Sequence, residues 1–146
     1  MTSRFLPHLM QLAARRDGTS AVEFALLSPL YFLLMSGMAA YGLYFGASHS
    51  IQQLAADAAR VAIAGLSADE RATLAAGFVA RNASAYAFVD GSRVAIDVGD
   101  NPADPTQFVI SVTYDARNLP IWNLFEGLPL PDTTIAHRST IRIGGI

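Results

Sequence analysis

The chain has 146 residues, 52% of them hydrophobic and only 15% charged, with a net charge of −2. A soluble domain of this length carries about 25% charged residues, so part of the chain is built for a solvent other than water. Ten arginines without a lysine, on a slightly acidic chain, exclude the basic footprint of a nucleic-acid binder. The absence of cysteine excludes a disulfide framework, a thiolate metal site and a cysteine nucleophile.

The first 18 residues form a polar-basic leader, with Arg4, Arg15 and Arg16 set against Asp17. Gly18 follows, and five residues later an acid, Glu23. From Phe24 to Ala47 there is no charge in 24 residues. As a helix this stretch is roughly 36 Å long at about 1.5 Å per residue, enough to cross a hydrocarbon core of about 30 Å with some tilt. Phe24, Leu26, Leu27, Leu30, Tyr31, Phe32, Leu33, Leu34, Met35 and Met38 leave no polar face, which a soluble amphipathic helix would need. The basic residues precede the span and none follows until Arg60, so the positive-inside tendency puts the N-terminus in the cytoplasm and the rest outside. A secretory signal has a shorter apolar region, about 7–15 residues, and ends in a small-x-small site.

Glu23 abuts the apolar run without being needed for anchoring. An acid at a membrane boundary is costly and is a functional candidate. If the chain is cut after Gly18, Thr19 carries a new α-amino group one helical turn from Glu23, and a poorly screened attraction follows. The plainer alternative is an acid that complements the helix macrodipole. Pro29 lies inside the span; it lacks an N–H and its ring meets the carbonyl of Ala25, so a kink is expected. Gly42 and Gly46 form a small-xxx-small pair, extended by Ser50, which is either a helix-packing face or the ordinary glycine content of a membrane helix.

Ile51 to Ala62 continues the helix in an alanine-rich register, giving a long helix over 19–66 with its span at about 24–47. The remaining 67–146 reads as an exported α+β domain. Ser67 and Glu70 make a capping box for a second helix that runs to about Ala85. After Asp90-Gly91 the period drops to two: residues 93–98, 107–114 and 133–143 are strands of a small antiparallel sheet. A turn at 101–105 joins the first two. The long connection 115–132 holds Leu119, Ile121, Trp122, Leu124, Phe125, Leu128 and Leu130, which either cover the sheet as core or form a partner patch.

Nothing nominates a catalytic centre or a cofactor. His8, His49 and His137 have no metal-ligand spacing. Asp97, Asp100 and Asp104 lack the spacing and the bidentate glutamate of a calcium loop. No phosphate-binding glycine loop or serine elbow is present.

A basic leader, Gly-x-x-x-x-Glu-Phe and an apolar helix resemble the prepilin signature of type IV pilins. Arg16-Asp17-Gly18-Thr19-Ser20-Ala21-Val22-Glu23-Phe24-Ala25-Leu26-Leu27-Ser28-Pro29-Leu30, with Ala55-Ala56-Asp57-Ala58-Ala59-Arg60-Val61-Ala62, is similar to the TadE-like family of the Tad (Flp-type, tight-adherence) pilus system, over residues 16–62. The resemblance implies a pilin-like fold and a minor pilin or pseudopilin, not an enzyme. It implies cleavage between Gly18 and Thr19 by a prepilin peptidase, an assembly role for Glu23 beside Phe24, and a shape role for Pro29. Thr19-Ser20 stands where small alanines are common in the family. The implied partners are the peptidase, other pilin-like subunits, membrane lipid, the Tad platform and, indirectly, its secretion ATPase. The implied location is the bacterial inner membrane with the domain in the periplasm, or a pilus on the cell surface. The rival reading is an uncleaved single-span envelope protein whose outer domain binds a ligand or partner.

Overall fold

The computed structural model describes residues 17–122 and 129–142. The leader up to Arg16, Leu124, Phe125 and Leu128 of the long connection, and the expected strand end at Ile143 lie outside the described residues. The elements are α1 (Asp17–Ala62), α2 (Ala68–Asn82), β1 (Val94–Asn101), β2 (Asp104–Asp115) and β3 (Thr134–Arg142), with one-turn 3₁₀ segments at Ala83–Ala85, Gly91–Arg93 and Ala116–Asn118. The strands form one antiparallel sheet in the order β1-β2-β3. This is the α+β arrangement of a long apolar helix, a short helix and three strands that the periodicities predict.

α1 runs through two compact units, one ending at Met38 and the other beginning at Ala39. In the first unit, the large apolar side chains from Val22 to Met38 are exposed, Leu26 at 74% and Met38 at 76%. In the second, one stripe of the helix is buried: Ala40, Ala47, Ile51, Leu54, Ala55, Ala58, Ala59 and Ala62. Steps of three and four put these on one face, and Gln52, Gln53 and Arg60 stay exposed on the other. Alanine dominates the stripe, so the helix backbone can lie close to its partners. The expected span of 24–47 therefore has two environments, because its last residues belong to the packed stripe. The helix stops at Ala62; Ala64 and Gly65 donate to Val61 and Ala62 in tight turns, the usual way a last helical turn satisfies its free carbonyls. A Cβ on Gly65 would lie 2.7 Å from the backbone nitrogen of Arg71, so glycine is what permits the chain to fold back there.

α2 starts where Ser67 Oγ accepts from the Glu70 N–H at 3.1 Å. The reciprocal bond goes one residue further out than a capping box places it: Glu70 Oε2 accepts from the Leu66 N–H at 2.9 Å. The inner sheet face carries Phe108, Ile110, Val112 and Tyr114 of β2 and Ile135 of β3, all buried in one cluster with the α1 stripe and with Ala75 and Val79 of α2. Leu119, Ile121, Trp122 and Leu130 of the long connection join that cluster, so these residues are core. The turn between β1 and β2 is narrower than the sequence suggests. Asn101 Oδ1 accepts from Ala103 N at 3.0 Å and Asp104 Oδ1 from Thr106 N at 2.9 Å. These bonds let the strands extend to Asn101 and Asp104, with a register shift between Asp100 and Asn101. Pro105 is tolerated inside β2 because pairing with β3 begins only at Gln107.

Three polar ties hold the second unit together. Tyr41 Oη donates to the Pro129 carbonyl, Ser48 Oγ and His137 Nε2 lie 2.8 Å apart, and Tyr86 Oη donates to Asp57 Oδ2 at 2.8 Å. Burial, then the hydrogen bond to the Asp57 carboxylate and its charge, push the Tyr86 phenol up from 10.0 to about 12. A pKa raised in the folded state gives stability that is complete below pH 10 and lost as pH climbs toward 12. Tyr86→Phe is expected to flatten that alkaline limb, read as thermal denaturation of the chain in detergent against pH. Phe108 is 1% exposed and lies under the Arg71 guanidinium, 5.1 Å from its ring centroid. Phe108→Ala is expected to cost about 3–5 kcal/mol in the same assay.

Candidate functional site

The positions that carry chemistry in the sequence all fall on α1, and the structure gives each an environment. Gly18 and Thr19 lie in the first turn of the helix, which begins at Asp17. The N–H groups of a first turn have no intrahelical acceptors, so this peptide bond sits where the helix is easiest to open. Among the described residues, a Cβ on Gly18 would meet nothing within 4 Å. Glu23 is exposed, one turn along from Thr19. It is the lone Asp, Glu, Lys or Arg between Gly18 and Ala56. Its neighbours Val22 and Phe24 are exposed at 60% and 68%, and Leu26 and Leu27 also stand outward. Thus the carboxylate stands at the start of an apolar helix surface, with Val22, Phe24, Leu26 and Leu27 beside and beyond it and the polar Thr19 and Ser20 one turn before it.

Pro29 removes the N–H that the Ala25 carbonyl would otherwise accept. Ser28 Oγ donates to that carbonyl instead, at 3.2 Å. A hydroxyl bond of this kind lets a helix keep a proline where water cannot reach. Ser28 thus has a part in the site that sequence reasoning missed; its place immediately before the proline was the available signal.

The two glycines differ. Among the described residues nothing lies within 4 Å of where a Cβ on Gly42 would stand. At Gly46 a Cβ would lie 2.8 Å from the ring of Phe88 of the same chain. Phe88 has φ 63°, unusual for a bulky side chain, and its carbonyl accepts from Tyr114 Oη at 3.3 Å. The close approach at Gly46 is therefore taken by the folded unit itself, and Gly42 is the glycine left open.

No three His, Asp or Glu side chains converge as a metal group among the described residues. Asp104, one of the three loop acids, is committed to its turn: hydrogen bonds from Thr106 hold its carboxyl below the ordinary carboxylate value. His137 is half-buried on β3 beside Ser48, and His49 is exposed on α1. Pro29 sits well inside α1, and a segment long and apolar enough to cross a bilayer once lies within that helix.

The protein-family model described as TadE-like protein matches residues 18–60. The similarity to that family over 16–62 is borne out across this segment, which runs from the glycine before the expected cut to the arginine of the alanine-rich stretch. The match connects the chain with Tad pilus-associated, pilin-like proteins, a structural family and not one of enzymes. No curated protein and no solved structure matches the chain.

The Ser28–Pro29 arrangement gives a double-mutant cycle. Ser28→Ala is expected to destabilise the helix around Ala25 by about 0.5–1.5 kcal/mol when Pro29 is present. In a Pro29→Ala background, where the substituted alanine supplies the missing N–H, the same change is expected to be close to neutral. Amide hydrogen exchange of residues 25–33 in bicelles reads both arms.

Proposed function

We propose that this chain is a minor pilin or pseudopilin of a Tad-type pilus. It is inserted with its leader in the cytoplasm, cut by a prepilin peptidase between Gly18 and Thr19, and assembled through the apolar half of α1 with the domain outside. The observation that carries the reading is Glu23: an exposed carboxylate one helical turn from the proposed new N-terminus, at the point where the exposed apolar side chains of the helix begin. Once Thr19 bears an ammonium group, Glu23 can meet it within the chain, or meet that of a neighbouring subunit. Near lipid such an attraction exceeds its value in water; at an effective dielectric of about 20 two charges 4 Å apart interact by about 4 kcal/mol before desolvation is counted. The contact orients the processed terminus and neutralises a charge that would otherwise oppose burial of the helix.

Pro29 and Ser28 shape the same segment, and Gly42 offers a small-residue face to a neighbouring helix. The partners are the peptidase, other pilin-like subunits, membrane lipid and the Tad platform; the chain contains no phosphate-binding loop, so ATP hydrolysis comes from the secretion ATPase of the system. Adhesion is then a property of the assembled pilus.

Mass spectrometry of the membrane-fraction protein tests the processing step. The expected N-terminus is Thr19; an intact chain from Met1 in cells with active prepilin peptidase would favour a permanently anchored envelope protein. Glu23→Gln is expected to leave insertion and cutting unchanged and to lower assembly more than tenfold, since a loss of about 1.4 kcal/mol already corresponds to that factor. Normal pili in Glu23→Gln cells would remove the role assigned to the carboxylate.

A further inference from the structure

We infer that the sheet is built to continue into a second copy of this chain, the β1 edge of one subunit lying against the β3 edge of the next. β1 has eight residues and β3 has nine, and each pairs on one side only, with β2. Among the described residues, no strand, helix or loop backbone bonds to either outer edge. Edge strands of monomeric proteins are usually blunted by proline, lysine, bulges or shortness. Neither strand contains proline, and the charges that guard each edge are of opposite sign, acids on β1 and arginines on β3. β3 keeps a regular register throughout, and β1 does so up to Asp100.

The occupant follows from charge. β1 carries Asp97 and Asp100 and no basic residue; β3 carries Arg138 and Arg142 and no acid. Joining β1 to β1 brings acids against acids, and β3 to β3 brings arginines against arginines. Like charges opposite one another destabilise strand pairing. Joining β1 to β3 brings opposite charges together and is the one combination of the three that the charges favour.

Register sharpens the point. Asp97 is opposite Ser111, and Ser111 is opposite Arg138. The three form one row across the outer face, with the Arg138 Nε donating to Ser111 Oγ at 3.3 Å. Within one chain the acid and the guanidinium are two strand spacings apart, roughly 10 Å. Neither makes an ion pair among the described residues. In a second copy placed alongside with its strands in the same direction, Asp97 comes one spacing, about 4.8 Å, from Arg138 of the first. β1 and β3 are both antiparallel to β2 and hence parallel to each other, so simple side-by-side repetition produces this contact. The interface is head-to-tail, so each copy keeps a free edge for the next, which suits a growing assembly and not a two-fold dimer. It rests on the two edges and on copies meeting side by side; it does not depend on cleavage after Gly18.

The absence of cysteine makes the full chain a clean background for disulfide trapping. Ala95 and Ala136 are exposed and share the row through Thr113. Within one chain they are roughly 10 Å apart, beyond disulfide reach, whereas in the paired copies they are neighbours. Mild oxidation of membranes containing the Ala95→Cys/Ala136→Cys chain is expected to give a ladder of multimers. Each single variant alone is expected to stay monomeric. Asp97→Arg in the double-cysteine chain is expected to reduce the ladder about threefold or more, and adding Arg138→Asp to restore it. A dimer from either single variant, no ladder from the double, or a ladder indifferent to the charge changes overturns the inference. Identifying the N-terminus in the same samples keeps this result separate from that of the processing step.

Discussion

The constraint on which the structure turns is that the described residues leave half of a long helix unburied. From Val22 to Met38 the large apolar side chains of α1 stand exposed in every direction. Water is a poor solvent for such a surface, and a run of this length far exceeds the isolated apolar residues that soluble proteins tolerate. An apolar solvent suits it better, and the helix is long and apolar enough to cross a bilayer once. Every other feature of the N-terminal segment is read against that requirement: a charge there is costly, a proline needs a substitute hydrogen bond, and a glycine is a place where another helix can come close.

Ser28 shows how closely the local chemistry follows. In water the Ala25 carbonyl freed by Pro29 would bind solvent. In lipid or among packed helices it has nothing to bind unless the chain provides a donor, and the hydroxyl one residue before the proline does so. Serine makes such bonds in soluble helices too, but in a dry environment the bond also replaces the missing partner of the carbonyl. It is compatible with the environment that composition suggests.

The sequence made the elements legible because their periods differ. All-round apolarity marked the first half of α1, and steps of three and four marked the second. Alternation marked the strands, and Ser67 with Glu70 marked the start of α2. What it could not show were contacts between residues far apart in the chain. Phe88 over Gly46, Ser48 beside His137 and Tyr41 on the Pro129 carbonyl join positions 42, 89 and 88 residues apart, and no local pattern reports them. The Gly42–Gly46 pair is the instructive case. Spacing alone treats the two glycines as equivalent, yet among the described residues one has no close neighbour and the other meets the ring of the chain's own Phe88. The end of the apolar stretch was hidden for a similar reason. Alanine and glycine satisfy lipid and a tight helix–sheet contact equally well, so composition does not mark where one ends and the other begins.

That hidden boundary bears on Glu23. The uncharged run by itself suggests a span beginning after the acid and ending near Ala47. The structure assigns Ala40 and Ala47 to the packed stripe. If the folded unit keeps these residues out of lipid, the uncharged helix left from Phe24 to Ala39 is roughly 24 Å long, short of a hydrocarbon thickness of about 30 Å. Filling that thickness then draws the first turns of α1 toward the bilayer, and Glu23 with them. An unpaired carboxylate resists such a shift; one matched by the ammonium of a processed Thr19 resists it far less. On the proposed reading, cutting after Gly18 therefore removes the leader arginines and also creates the charge that lets this acid sit where the length of the helix puts it.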